Sequence, residues 1–173
     1  MTVNHLFVMD PLESLNLKLD SSLRLMYELT LMGHKTYACE PRGLSWHSER
    51  DSAHANSKLV SFGVNATQIE AGENETLLLS SFSSIHMRKD PPYDMDYITT
   101  TWLLDSVENR SRVYNHPNAL RALNEKLAIF LFKGVTKPGL VTASSSEILE
   151  FIKKDAGGDG IIKPLTLFGG RGV

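Results

Sequence analysis

Hydrophobic and polar positions along the first 40 residues alternate between two periods. Val3 to Met9 (VNHLFVM) is a short, mostly apolar run that stops at Asp10-Pro11, which predicts a buried strand ended by proline. Asp20-Ser21-Ser22 then offers helix N-caps, and Leu23 to Met32 has helical composition. Leu23, Met26, Tyr27 and Thr30 fall on one helical face, and Arg24 and Glu28 form an i,i+4 pair. Gly33 supplies a C-cap, and Lys35 to Cys39 predicts a second strand. Strand, helix, glycine and strand in that order make a βαβ unit, so the fold class is α/β.

Glu40 to Gly72 is polar and predicts irregular structure, with a hairpin around Leu59 to Phe62. Ser84 to Met87 predicts a strand leading into the stiff loop Arg88-Lys89-Asp90-Pro91-Pro92. Asp94 caps a helix expected to reach about Asn109, with Ile98/Trp102 and Leu103/Val107 at i,i+4. Trp102 is most simply core. Arg112 to Asn115 returns as a strand, and Pro117 to Phe132 as a second helical region broken near Asn124.

Lys133 to Gly139 (KGVTKPG), rich in Gly, Pro and Lys, predicts the border between a domain at 1–133 and a unit at 134–173. The second unit reads as β-α-β: a strand at Leu140 to Thr142, the capping box Ser144-x-x-Glu147 before a helix to about Lys154, and a strand at Ile161 to Leu165. A glycine-rich segment, Phe168 to Gly172, closes the sequence. One β-α-β unit leaves a sheet edge bare. The expectation is a parent protein with more chain, or a partner covering that edge.

Composition narrows the function classes. Hydrophobic residues make up 42%, charged residues 22%, and the formal net charge is −2, an ordinary soluble mixture. No basic block supplies a phosphate-neutralising face, which argues against a nucleic-acid partner. No apolar run approaches the roughly 18 residues that cross a bilayer, so no membrane partner is expected. The single cysteine, Cys39, suits a reducing cytoplasm and reads as a small buried thiol. The six histidines are too scattered for a zinc site, and His47 and His54 read as loop surface.

Three places carry candidate chemistry. Lys163, inside the apolar Ile161-Ile162-Lys163-Pro164-Leu165, needs an anion or a route to solvent. Gly169, Gly170 and Gly172 follow it, and glycines let a backbone close on a phosphate. A strand lysine before a glycine loop suits nucleotide phosphates; the plain alternative is a snorkelling edge lysine and a loose tail. Lys126 by itself reads as a solvated helix lysine. Arg88 and Asp90, with Asp10 in the equivalent place after the first strand, sit where open α/β sheets bind ligands, or else in solvated turns.

Taken together, these segments resemble the prokaryotic glutathione synthetase family. The resemblance rests on Val8-Met9-Asp10-Pro11, Asn16-Leu17-Lys18, Asp20-Ser21-Ser22 and above all Met87-Arg88-Lys89-Asp90-Pro91-Pro92-Tyr93-Asp94. Asn124-Glu125-Lys126-Leu127 and Ile162-Lys163-Pro164-Leu165 continue it. It implies a Rossmann-like pre-ATP-grasp domain followed by the beginning of an ATP-grasp domain. It further implies ATP and Mg2+ as cofactors, with Lys126, Lys163, Gly169, Gly170 and Gly172 at the ATP phosphates. Arg88, Asp90 and Asp10 go to the dipeptide side.

The implied reaction joins γ-glutamylcysteine to glycine through an acyl phosphate in the cytoplasm, with a homo-oligomer left open. Arg171 between the glycines departs from the usual loop spacing. No residue after Lys163 carries a carboxylate, so no metal ligand is assigned to this chain, and the chain is expected to be truncated and inactive alone. The alternatives are a non-catalytic interaction module that keeps the fold, and another ATP-grasp carboxylate–amine ligase.

Overall fold

The computed structural model describes residues 2–50, 52–66, 68–107, 110–132, 134–170 and 172. The chain divides into two compact units, Met1–Ala122 and Leu123–Val173. Lys133, at the expected border, lies outside the described residues.

The first unit is mixed α/β. Strands β1 (Asn4–Val8), β2 (Lys35–Cys39), β6 (Ser84–Met87) and β7 (Arg112–Tyr114) form a parallel block in the order β2-β1-β6-β7. Beyond β2 the sheet turns antiparallel. The eleven-residue β4 (Ser52–Phe62) pairs along one edge with β2 and β3 (Leu44–His47), and along the other with β5 (Ile69–Leu78). Between Lys58 and Val60 two steps of β4 run against three of β5, Asn74 to Ala71, a bulge at Gly72 and Glu73.

Helix α1 (Ser21–Leu31) starts where the Asp20 carboxylate accepts the Ser22 and Leu23 N–H groups at 2.8 and 2.9 Å. It ends at Gly33, whose φ of +83° is free of the usual Cβ penalty. Leu23 and Met26 of α1 pack with Phe7, Met9, Ala38 and Val60 on one face of the sheet. Helix α2 (Met95–Asp105), capped by Asp94 to the Tyr97 N–H at 2.9 Å, covers the other face. There Leu104 and Val107 meet Leu6, Val8, Ile85, Met87 and Val113. Each fully buried Leu, Ile or Phe contributes about 1.5–3 kcal/mol, so this double-sided burial holds the parallel block. Helix α3 (Pro117–Ala122) is tied to α2 by Arg121, which donates to Thr101 Oγ1 at 3.0 Å and pairs with Asp105.

The structure corrects four expectations in this unit. Residues 40–72 are not irregular: β3, β4 and the start of β5 lie there, and the hairpin is far longer than 59–62. Their polarity arises because β4 buries mostly small or polar side chains, Ala53, His54, Ala55 and Ser57, while β5 starts at an exposed outer edge. His47 and His54 are on paired strands rather than in loops, and His54 is buried. Trp102 is 53% exposed, because the inward face of α2 is Thr100, Thr101 and Leu104. That helix ends at Asp105, and Asn109 lies outside the described residues.

In the second unit, α4 (Ser145–Lys154) forms as expected, with the Glu147 N–H donating to Ser144 Oγ at 3.4 Å. The Glu147 carboxylate accepts from Thr142 Oγ1 at 2.6 Å, so the capping box is half made. The segments expected as strands, 140–142 and 161–165, have no ladder partner among the described residues. Val141 and Ile161 stay 50% and 75% exposed there. A strand exists only where another chain segment takes up its backbone groups.

Candidate functional site

In the first unit the chain runs outward from β1 to β2 and later returns to β6 on the other side of β1. The carboxyl ends of β1 and β6, adjacent through Val8 and Met87, therefore form a topological switch point. Two loops leave it, one carrying Asp10 and the other Arg88-Lys89-Asp90. The backbone fixes their start: the Arg88 N–H donates to the Val8 carbonyl at 2.7 Å, and Asn115 Nδ2 donates to the Met87 carbonyl at 2.9 Å.

Side chains lock the rest. The Asp10 carboxylate accepts the Lys89 ammonium at 2.8 Å through Oδ1 and the Asp90 N–H at 2.9 Å through Oδ2. Lys89 Nζ also donates to the Asp90 carbonyl at 2.6 Å. The Arg88 guanidinium donates from Nε to Ser22 Oγ and from Nη2 to Ser21 Oγ, both at 2.8 Å. Asp10, Arg88 and Asp90, assigned together from sequence, are thus neighbours across 80 residues of chain.

Partial desolvation raises the Asp90 carboxyl above the usual carboxylate range, Asp10 raises it further, and the Lys89 ammonium partly offsets both. The group has a fixed guanidinium with N–H bonds to spare beside an exposed carboxylate. Those are complementary to the carboxylate and ammonium of an amino-acid-like ligand. Sequence reasoning did not assign Lys89, Ser21, Ser22 or Asn115. The serines were legible only as helix caps, and their turn toward Arg88 depends on where α1 lands.

The second unit brings Lys126 to the segment that follows Lys163. Asn124 Oδ1 caps this turn from the Lys126 N–H at 2.9 Å. The Lys126 ammonium then donates to the Leu167 carbonyl at 2.7 Å, the Leu165 carbonyl at 3.4 Å and Glu125 Oε1 at 2.8 Å. Lys163 is exposed, with no hydrogen bond or ion pair to another described residue. Gly169 and Gly170 have φ of +61° and +75°, with open space where a Cβ would stand. Gly172, φ +73°, is crowded, since a Cβ there would lie 3.1 Å from Pro164. Arg171 lies outside the described residues. Among the described residues no three His, Cys, Asp or Glu side chains are grouped to hold a metal ion, and no helix is long and apolar enough to cross a membrane.

A mixed sheet with a charged, hydroxyl-braced cluster at its switch point makes the first unit an α/β domain whose candidate site lies at that point. Residues 3–121 match the family described as "Prokaryotic glutathione synthetase, N-terminal domain", and the chain belongs to that family. It is 37% identical over 169 residues to a glutathione synthetase of Ralstonia nicotianae, covering 97% of this chain and 51% of the relative. The glutathione synthetase of Nitrosomonas europaea is 38% identical over 170 residues, 96% of this chain and 52% of the relative. That of Pseudomonas putida is 36% identical over 174 residues, covering 100% and 54%. The chain spans about half the length of the curated relatives it matches.

Proposed function

We propose that this chain is the N-terminal part of a glutathione synthetase, an ATP-dependent ligase joining γ-glutamylcysteine to glycine in the cytoplasm. Residues 1–133 are then the pre-ATP-grasp domain and residues 134–173 the beginning of the ATP-grasp domain. In this assignment Arg88 and Asp90 take the amino-acid end of the dipeptide, with Asp10 bracing their loop. Lys126 and Lys163 balance the ATP phosphates, and Gly169, Gly170 and Gly172 close over them.

The observation that carries the reading is the Lys126 ammonium seated on the Leu165 and Leu167 carbonyls, between Lys163 and the glycines in sequence. The residues fit a phosphate there. Adjacent left-handed glycines suit a backbone cradle for a phosphate, and the Lys126 ammonium, held by two carbonyls and the exposed Glu125 carboxylate, can exchange those partners for a more highly charged anion. When bound, ATP supplies the phosphoryl group that gives the dipeptide carboxylate a leaving group. The chain's own part is to neutralise charge, orient the dipeptide and keep water out. Magnesium ligands are assigned to none of its residues, and we infer that these 173 residues alone do not turn over.

Two measurements on the 173-residue polypeptide test this. Calorimetric titration with ATP should show binding that Lys126→Gln and Lys163→Gln each weaken about tenfold, the loss of one charge-assisted contact. Unchanged affinity in both variants removes the phosphate assignment. Glutathione formation by the polypeptide alone, at the rate of a relative twice as long, refutes the incomplete-site reading.

A further inference from the structure

The parallel register of β1, β6 and β7 sets two rows of side chains on the sheet face that carries α1. His5, Ser84 and Arg112 stand side by side in one row, and Phe7, His86 and Tyr114 in the next. The first row is polar and hydrogen-bonded: Ser84 Oγ lies 2.7 Å from His5 Nδ1 and also 2.8 Å from His86 Nε2, linking the rows. The second is an aromatic stack, with His86 between Phe7 (centroids 4.4 Å, planes 8° apart) and Tyr114 (5.1 Å, 16°). Helix α1 packs over Phe7 of β1, Ala38 of β2 and Val60 of β4 on this side, while Arg112 and Tyr114 of β7 stay exposed. Its Leu25 and Leu29 form one wall of a cavity of about 450 Å³ over the two rows.

The lining contains one guanidinium, two imidazoles, two serine hydroxyls and a phenol, and no carboxylate. Arg112 is exposed, and no hydrogen bond or ion pair joins its guanidinium to another described residue. Glu28 of α1, the nearest acid on the wall helix, is paired with Arg24. The cavity is therefore cationic at one edge, rich in donors on its floor and apolar along one wall. We propose that it binds a small organic carboxylate, its charge held by Arg112 and the Ser84–His86 pair and its apolar body against Leu25, Leu29 and Tyr114. This site shares no lining residue with the switch-point cluster and does not rest on the glutathione synthetase assignment.

The groups facing His86 are His5 on β1, Arg112 and Tyr114 on β7 and Arg88 at the end of its own strand, with His34 behind His5 at 5.2 Å. Burial first, then His5 and Arg88, hold the His86 imidazole at about 4. An anion beside it favours the imidazolium, so binding must raise that value, and by reciprocity must tighten as pH falls.

The test is NMR of the full chain labelled at histidine, titrated with sodium benzoate and, separately, with inorganic phosphate. Benzoate should shift the His86 and His5 ring signals saturably and raise the His86 pKa. Its affinity should grow about threefold or more between pH 7 and pH 5. Arg112→Gln, at an exposed position, should weaken it about tenfold, and Arg112→Lys should restore part of the loss. Absence of a saturable shift, or a shift indifferent to Arg112→Gln, overturns the proposal. Phosphate binding as tightly as benzoate overturns the assignment of an organic carboxylate.

Discussion

Replacing Asp10 tests whether the switch-point loops are held by the contacts seen there. The carboxylate has two partners, the Lys89 ammonium at 2.8 Å and the Asp90 N–H at 2.9 Å. The Lys89 and Asp10 side chains are 20% and 24% exposed, so the pair is better shielded than a surface ion pair but not dry. A hydrogen bond with a charged partner contributes about 1.5–3 kcal/mol. Two sharing one carboxylate do not add fully, so Asp10→Ala should cost about 2–3 kcal/mol. At about 2–4 °C per kcal/mol for a chain of this size, Tm should fall by roughly 4–12 °C.

Asp10→Asn keeps one acceptor but turns an NH2 toward the ammonium or the N–H, and should cost about 1–2 kcal/mol. It also removes a carboxylate that holds the Asp90 carboxyl up. The Asp90 pKa should therefore fall, as read from its side-chain carbon shift. Urea unfolding supplies the stability and NMR the titration. A loss under about 0.5 kcal/mol for Asp10→Ala, together with an unmoved Asp90, would refute the argument.

Two further predictions concern groups shifted by full or partial burial. His86 has a folded pKa of about 4 against 6.5 unfolded, so its contribution to stability is complete above 6.5 and is lost as pH falls toward 4. The full shift corresponds to roughly 3 kcal/mol, and about 1–2 kcal/mol remains after allowing for the partly wet ring. His86→Phe should flatten urea-unfolding stability across that window, and an unchanged slope would contradict the burial argument. Cys39, buried against the sheet with its thiol pushed up to about 12, should resist maleimide at pH 8 in the native chain and react promptly once unfolded in urea. Labelling at equal rates in both states would show that the thiol is accessible.

Local signals determined much of this protein. The Asp20 and Asp94 caps, Gly33 and the apolar runs of β1, β2 and β6 are short-range chemistry, since a cap or a buried strand is specified within a few residues. The RKDPP and NEKL runs carry the family resemblance within a few residues each. The strands in 40–72 are illegible because β4 buries consecutive small or polar residues, Ala53, His54 and Ala55, instead of alternating large apolar ones, and β5 lies at an edge with almost every side chain in solvent. Trp102 looked like core because composition does not say which side of α2 meets the sheet.

Other features required the third dimension. Asp10 meeting Asp90, Ser21 and Ser22 turning to Arg88, and His5, Ser84 and Arg112 standing in one row all join residues tens of positions apart. Each depends on strand order and register. Only the β2-β1-β6-β7 pairing, driven by burial of both faces of the sheet, makes those residues neighbours.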